Sequence, residues 1–387
     1  MSDRVDLPAG FAAHTGGAGL RDGGGDDVAV VVSRRPCASA AMFTQNLFAG
    51  PSVLLSRRRA ESGRLRAIVV VAKNANVATG TAGMRDAEEV SSLAARGAGV
   101  APDEMAIAST GVIGRPYPMD LLRAHFAALG HASFDADARA VARAMMTTDT
   151  VTKTTVQDAG PARVVGVAKG VGMIEPNLAT MLALVVTDAD VAPAALSRMW
   201  RRSVAETFNC LSVDTDTSTS DTALVLANGA AGPVPEGALS AALHEACLDL
   251  TLQLARDGEG ATKLLTVTVR AARDGDQARR VAKAVVNSPL VKTAVHGADP
   301  NWGRVAMAVG KCEGDRDIDP ASVVIRFGDM EAYPARPGDA GLAHLAAVMS
   351  SDHVEIEVDL GTGDAEATVY GCDLSAEYVR INADYTT

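Results

Sequence analysis

Residues 169–188 read KGVGMIEPNLATMLALVVTD, a loop with two glycines that passes into an apolar strand. The glycines and Pro176 allow sharp backbone turns. Residues 181–186 are apolar or small, which is typical of a strand buried on both faces. Thr180 therefore places a hydroxyl at the point where an irregular loop enters the core.

Thr180 is a candidate nucleophile for cleavage of its own peptide bond. Attack of its hydroxyl on the carbonyl of Ala179 would release a new N-terminal threonine, whose amine can act as the base for the hydroxyl. The alternative is an ordinary buried strand whose first residue is threonine. Taken alone, the segment favours that ordinary strand.

The composition limits the classes of protein to which the chain can belong. At 387 residues it is too long for one ordinary core, so we expect two domains or two closely packed halves. A net charge of −11 argues against a nucleic-acid surface. The five cysteines lack Cys-x-x-Cys spacing, which argues against a zinc site or a disulfide framework and favours a reducing compartment. Without a signal peptide or a membrane-spanning run, the sequence predicts a soluble cytoplasmic protein with no membrane partner.

Helical and strand-like patterns follow each other in mixed order, which favours an α+β layered architecture over a doubly wound parallel sheet. A long amphipathic helix is predicted near 236–255, with its apolar residues on one face. The polar segment 150–162 is predicted to be a loop, and 378–381 a short strand. We find neither a dinucleotide-binding glycine fingerprint between a strand and a helix nor a Walker loop.

The segment around Thr180 is similar to the self-cleaving motif of the ornithine acetyltransferases, which carry Lys-Gly-x-Gly-Met, then Pro, then Ala-Thr-Met-Leu. The resemblance extends over nearly the whole chain. It implies an αββα sandwich of two halves, similar to the N-terminal-nucleophile fold, and self-cleavage between Ala179 and Thr180. The products would be an N-terminal chain, 1–179, and a C-terminal chain, 180–387.

The resemblance also implies a site around the nucleophile. From the residues alone, Thr110 and Gly111 follow a strand and could present a hydroxyl and an N–H to a developing oxyanion, although a plain loop is the commoner interpretation. Through the resemblance they become the oxyanion hole. The residues that the resemblance assigns to substrate binding are Thr147, Thr148, Lys169, Thr180, Glu259, Asn382 and Thr387.

Three further stretches match the family: 74–80, 214–221 and 296–304. The last contains His, Asp and Arg, but no nucleophile elbow accompanies it, so we interpret it as architectural. The acid-rich turn 214–221 lacks the spacing of an EF-hand loop and indicates a metal site only weakly. We expect the enzyme to use no metal or organic cofactor.

The implied activity is acetyl transfer from N-acetylornithine to glutamate through an acetyl-threonine intermediate. The two cleaved chains would pair as a heterodimer, and heterodimers as a heterotetramer. Val171 and Glu175 depart from the commoner motif and lean toward members associated with clavulanic acid biosynthesis, which leaves the pathway open. Alternatives are an amidase or aminopeptidase with water as acceptor, an acetyltransferase for another amino acid, and an uncleaved amino-acid-binding protein.

Overall fold

A computed structural model describes residues 4–175, 181–335 and 337–384. Ala179, Thr180 and Thr387 lie outside the described residues. The strands are β1 (Phe11–Gly16), β2 (Val28–Ser33), β3 (Ala38–Phe43), β4 (Ala67–Val71), β5 (Met105–Ser109), β6 (Lys153–Ala159), β7 (Ala162–Lys169), β8 (Leu182–Asp190), β9 (Thr222–Pro233), β10 (Leu264–Ala272), β11 (Val324–Phe327), β12 (Met330–Tyr333), β13 (His353–Asp359) and β14 (Ala365–Cys372).

The helices alternate with these strands along the chain. They are α1 (Pro51–Ala60), α2 (Gly80–Ala98), α3 (Met119–Leu129), α4 (Ala138–Met145), α5 (Pro193–Glu206), α6 (Glu236–Arg256), α7 (Gly275–Val286), α8 (Pro289–His296), α9 (Trp302–Gly310), α10 (Asp339–Met349) and α11 (Ala376–Asp384). None of the helices in the described part of the chain is long and apolar enough to cross a membrane.

Two sheets pack face to face and form the centre of the molecule. The first has the strand order β1-β2-β4-β5, and the second has the order β3-β9-β8-β7-β6. Apolar side chains from both sheets and from α4 fill the space between them. Helices α1, α2 and α3 cover the outer face of the first sheet, and α5 and α6 cover that of the second. The predicted α+β class and αββα sandwich are confirmed.

Strand β8 lies in the middle of the second sheet and is buried on both faces. Leu182 and Leu184 point into the core between the sheets, whereas Ala183 and Val185 point toward α5 and α6. Because side chains alternate along a strand, a strand covered on both sides is apolar at every position. This explains the continuous apolar run after position 180.

A third sheet, with the order β12-β11-β13-β10-β14, builds a separate core with α7, α8, α9 and α10. It belongs entirely to the segment after residue 180. The sandwich, in contrast, takes strands from both sides of that position, since β7 pairs with β8 and β3 pairs with β9. The predicted chain boundary therefore falls between neighbouring strands of one sheet, and not between two separable domains.

Two predicted elements are wrong. The segment 150–162 contains β6, which the sequence conceals because its buried positions include Lys153 and Thr155 and its apolar Val156 is exposed. The segment 378–381 lies in helix α11 and not in a strand. The Ser375 hydroxyl accepts a hydrogen bond from the N–H of Glu377 at 3.1 Å, which is the geometry of a helix N-cap.

Candidate active site

One cavity of about 240 Å³ collects the predicted site residues from distant parts of the chain. Its walls come from the loop after β5, the turn between α4 and β6, the end of β7, the loop after α6, and α11. The predicted residues that line it are Thr110, Gly111, Thr147, Thr148, Lys169, Glu259 and Asn382. Met181, the residue after the predicted nucleophile, lines it as well.

Thr110 and Gly111 follow β5 in the order that the sequence predicts. The Thr110 hydroxyl accepts a hydrogen bond from Lys169 Nζ at 3.2 Å, which leaves its own proton available for another acceptor. Gly111 has a φ of +127°, and a Cβ there would lie 2.3 Å from the carbonyl carbon of Lys73. Only glycine fits this close approach, so the backbone can present an N–H beside the threonine hydroxyl.

A buried ion network supports Lys169 at the end of β7. Asp149 accepts hydrogen bonds from Lys153 Nζ at 2.8 Å and from the N–H of Gly170 at 2.7 Å. Lys153 also contacts Asp257 at 2.5 Å. Burial alone would raise the pKa of Asp149, but the charges of Lys169 and Lys153 and these hydrogen bonds lower it to about 2.

The same network acts on the protonation of Lys169. Burial lowers the pKa of its ammonium, and the negative charges of Asp149 and Glu259 oppose this shift. Sequence reasoning missed Asp149, Lys153 and Asp257. Asp149 and Lys153 are four residues apart, a spacing that brings two side chains together on a helix. Here the two residues lie in a turn and a strand, where this spacing does not indicate a contact.

Glu259 is held in place from three sides. Its carboxylate accepts hydrogen bonds from Thr148 Oγ1 at 3.3 Å and from Asn382 Nδ2 at 2.8 Å, and its N–H donates to the carbonyl of Val171 at 2.8 Å. A Cβ at Gly172 would lie 2.4 Å from a carboxylate oxygen of Glu259. This glycine therefore lets the loop pass directly against the carboxylate. A fixed carboxylate in a cavity can bind the ammonium group of an amino acid.

The loop that leads toward position 176 is fixed by acidic side chains. Asp214 accepts hydrogen bonds from the N–H groups of Met173 and Ile174 at 2.6 and 2.7 Å. The Glu175 carboxylate accepts a hydrogen bond from the side-chain amide of Asn287 at 2.5 Å. Asp214 thus fixes the backbone of this loop. Within the described ranges, no group of three His, Cys, Asp or Glu side chains could hold a metal ion.

Asp221 is a further cavity residue at the end of the acid-rich turn 214–221, which the sequence indicated only as a family match and a weak metal site. It stands directly before β9, is 1% exposed, and lines the cavity. Burial raises the pKa of its carboxyl well above the usual value, although the hydroxyls of Ser218 and Thr44 and the N–H of Met181 favour the ionised form. A buried protonated carboxyl can donate a proton.

The stretch 296–304 does not contribute to the described lining of this cavity. His296 Nδ1 lies 2.7 Å from Asp373 Oδ2, which also accepts a hydrogen bond from the Thr262 hydroxyl. Trp302 stacks on Tyr333 with ring centroids 4.8 Å apart and is 41% exposed. The geometry agrees with an architectural role near the loop that carries Glu259.

Comparison with known proteins adds independent information. Residues 12–387 match the ArgJ family. The arginine biosynthesis bifunctional protein ArgJ of Rhodococcoides fascians is 52% identical over 396 residues, which cover 100% of this chain and 97% of that protein. The glutamate N-acetyltransferase Oat2 of Streptomyces clavuligerus is 52% identical over 397 residues, which cover both chains completely.

A solved structure of an ArgJ protein is also similar to this chain. The crystal structure of arginine biosynthesis bifunctional protein ArgJ from Bacillus halodurans is similar with a TM-score of 0.50 and 40% sequence identity. The match covers 53% of this chain and 100% of that chain.

Proposed function

The chain belongs to the ArgJ family, and from this premise we propose that it is a glutamate N-acetyltransferase that takes its acetyl group from N-acetylornithine. The observation that carries the proposal is the single cavity in which seven predicted residues meet. Lys169 can pair with the carboxylate of an amino acid, and Glu259 can pair with its ammonium group.

The first proposed step is self-cleavage. The Thr180 hydroxyl attacks the carbonyl carbon of Ala179, the C–N bond breaks, and water hydrolyses the resulting ester. The products are fragments of 179 and 208 residues. The new α-amine of Thr180, with a reference pKa of about 7.7–8.0, then serves as base for its own hydroxyl.

The second proposed step is acetyl transfer in two halves. The Thr180 hydroxyl attacks the acetyl carbon of N-acetylornithine, and the hydroxyl of Thr110 and the N–H of Gly111 stabilise the oxyanion. Ornithine leaves with its amine, and the amine of glutamate attacks the acetyl ester. Lys169 is the only basic side chain in the described lining, so two amino-acid carboxylates cannot be paired at once. This supports successive occupation of one site, which gives ping-pong kinetics.

We also propose that the cleaved chains stay together as a heterodimer and that heterodimers form a heterotetramer. The five cysteines are all free, which suits work in the cytoplasm.

The Streptomyces and Rhodococcoides relatives are equally similar, at 52% identity. Overall identity therefore does not decide the pathway, and the acceptor must be identified by assay.

The test combines intact mass with acetyl transfer. We expect the purified protein to give two masses that correspond to a break between residues 179 and 180, and to acetylate glutamate with parallel double-reciprocal lines. Thr180→Ala should remain one chain and transfer no acetyl group, whereas Thr152→Ala, a control outside the cavity, should behave as wild type. A single full-length chain in active wild-type protein would refute self-cleavage. Release of free acetate without N-acetylglutamate would indicate the amidase instead.

A further inference from the structure

Asp221 lies beside the residue that follows the proposed nucleophile. The N–H of Thr222 donates to the carbonyl of Met181 at 3.1 Å, and Leu182 pairs with Thr222 in the ladder between β8 and β9. The N–H of Met181 faces the Asp221 carboxyl. Met181 directly follows the proposed reacting residue, Thr180, in the chain.

One of the two carboxyl oxygens of Asp221 is unpaired within the described part of the chain. Among the described residues, Asp221 Oδ2 is buried and has no hydrogen-bond partner. A buried polar atom without a partner costs stability, so native structures contain few of them, and a catalytic role is one explanation for those that remain.

Burial favours the protonated form of Asp221, and the groups around the carboxyl oppose this effect. Lys169, at the end of β7, is the cation that acts on it, and Asp149 and Glu259 act on that same cation. Ser218, from the turn before β9, and Thr44, from the segment after β3, contribute hydroxyls. Burial outweighs these contacts and raises the pKa of the Asp221 carboxyl well above its usual value.

We propose that Asp221 carries the proton between the hydroxyl and the nitrogen of Thr180 during self-cleavage. One carboxyl oxygen accepts the hydroxyl proton as the bond from Oγ to the Ala179 carbon forms. The other oxygen gives its proton to the Thr180 nitrogen as the C–N bond breaks. The carboxyl is neutral before and after, and no other reactant is needed. This inference rests on the proposed function.

Asp221 is needed in self-cleavage but not in the later acetyl transfer. Before cleavage the Thr180 nitrogen belongs to an amide and cannot act as a base, so an external acid–base group is required. After cleavage the free α-amine takes over this role. Loss of Asp221 should therefore slow self-cleavage much more than it slows acetyl transfer by protein that has already been cleaved.

The test follows self-cleavage in newly synthesised full-length chain by intact mass from pH 6 to pH 9. Asp221→Asn keeps the shape but cannot exchange the proton, and we expect cleavage to slow by about 100-fold or more. Wild-type cleavage should slow as pH rises and Asp221 ionises, whereas the residual rate of the variant should lack this fall. Asp190→Asn, an exposed acid at the end of β8, should cleave at the wild-type rate.

Thermal unfolding checks that the variant is folded. Because the pKa of Asp221 is raised in the folded protein, the contribution of this group to stability is fully present only below its pKa in the unfolded chain. The contribution is lost as pH rises. Asp221→Asn should therefore gain in Tm relative to wild type between pH 5 and pH 8. Should that variant not fold, Asp221→Glu keeps the acid, and we expect it to retain the fall of rate with pH.

The outcomes distinguish the inference from the proposed function. Cleavage of Asp221→Asn at the wild-type rate would overturn the role of Asp221 while leaving Thr180 in place. Cleavage of Thr180→Ala would overturn the proposed function itself.

Discussion

At the scale of single residues, Asp149 organises the charges around the cavity. It is surrounded by Lys153, Lys169 and the N–H of Gly170, so its removal would take one buried counter-charge from both cations. We expect Asp149→Asn to lower the free energy of unfolding at pH 7 by about 3 kcal/mol, measured by urea denaturation. The matched control is Asp158→Asn, an exposed acid on β6, which should change stability by less than about 0.5 kcal/mol.

The pH dependence of this effect has a definite sign. The pKa of Asp149 is about 2 in the folded protein and about 3.9 in an unfolded chain. The stability that it contributes is therefore present above pH 4 and is lost as pH falls toward 2. The difference between wild type and Asp149→Asn should be constant from pH 7 to pH 5 and shrink below pH 4. A difference that grows with acidity would contradict the assignment.

Gly111 allows steric fit to be separated from backbone conformation. Gly111 and Gly114 both have positive φ, but a Cβ at Gly114 meets no atom within 4 Å, whereas one at Gly111 meets the backbone of Lys73. We expect Gly114→Ala to cost about 1 kcal/mol and Gly111→Ala about 2 kcal/mol more. Gly111→Ala should also reduce kcat/KM for acetyl transfer at least 10-fold. Equal effects of the two substitutions would show that the close approach to Lys73 is unimportant.

The site residues differ in how far the sequence predicted them. Thr110 and Glu259 became candidates because their local motifs resemble a family, and the fold brings both to one cavity. Asp149, Lys153 and Asp221 owe their importance to burial and to partners far away in sequence, such as Asp257. A local pattern contains neither burial nor such pairing, so these residues required the tertiary structure.

At the scale of elements, the errors have a common cause. Strand β6 buries the charged Lys153, whose carboxylate partners contact it only in the folded protein. Along this strand, the alternation of buried and exposed residues therefore does not follow their hydrophobicity. Helix α11 has Tyr378, Val379 and Ile381 within four residues, and these residue types favour strands when they are taken alone. In both cases groups outside the misjudged pattern decide the structure: the carboxylates around Lys153, and the Ser375 cap at the start of α11.

Helix α11 completes the cavity, and its contact with Glu259 can be tested. Asn382 donates to the Glu259 carboxylate, and the helix begins close to Gly260, where a Cβ would lie 2.5 Å from the backbone nitrogen of Tyr378. We expect Asn382→Ala to raise KM for N-acetylornithine about 10-fold, with kcat changed less than 3-fold. Arg380→Ala, on the exposed side of the same helix, should leave both constants unchanged. A fall in kcat alone would contradict the substrate-positioning role.

At the scale of the whole molecule, the sandwich could be predicted only through the family resemblance. Periodicity indicated mixed helices and strands, but strand order depends on pairings such as β3 with β9, which lie far apart in sequence. The third sheet follows the same principle, because parallel β10 and β13 are separated by four helices. Long-range pairing is a property of the complete chain and is not encoded in any single segment.

The shared sheet predicts how a molecule cleaved between residues 179 and 180, as proposed, would behave. Strands β7 and β8 pair along six residue pairs, and the core between the two sheets contains side chains from both fragments. Each fragment alone would expose an unpaired strand edge and an apolar sheet face, which favour aggregation. We therefore expect fragments 1–179 and 180–387 to co-elute in gel filtration under native conditions and to separate only in denaturant. Refolded together they should recover activity, and each refolded alone should precipitate. Uncleaved Thr180→Ala should elute at the same volume. Dissociation of the fragments without denaturant would contradict the single shared core.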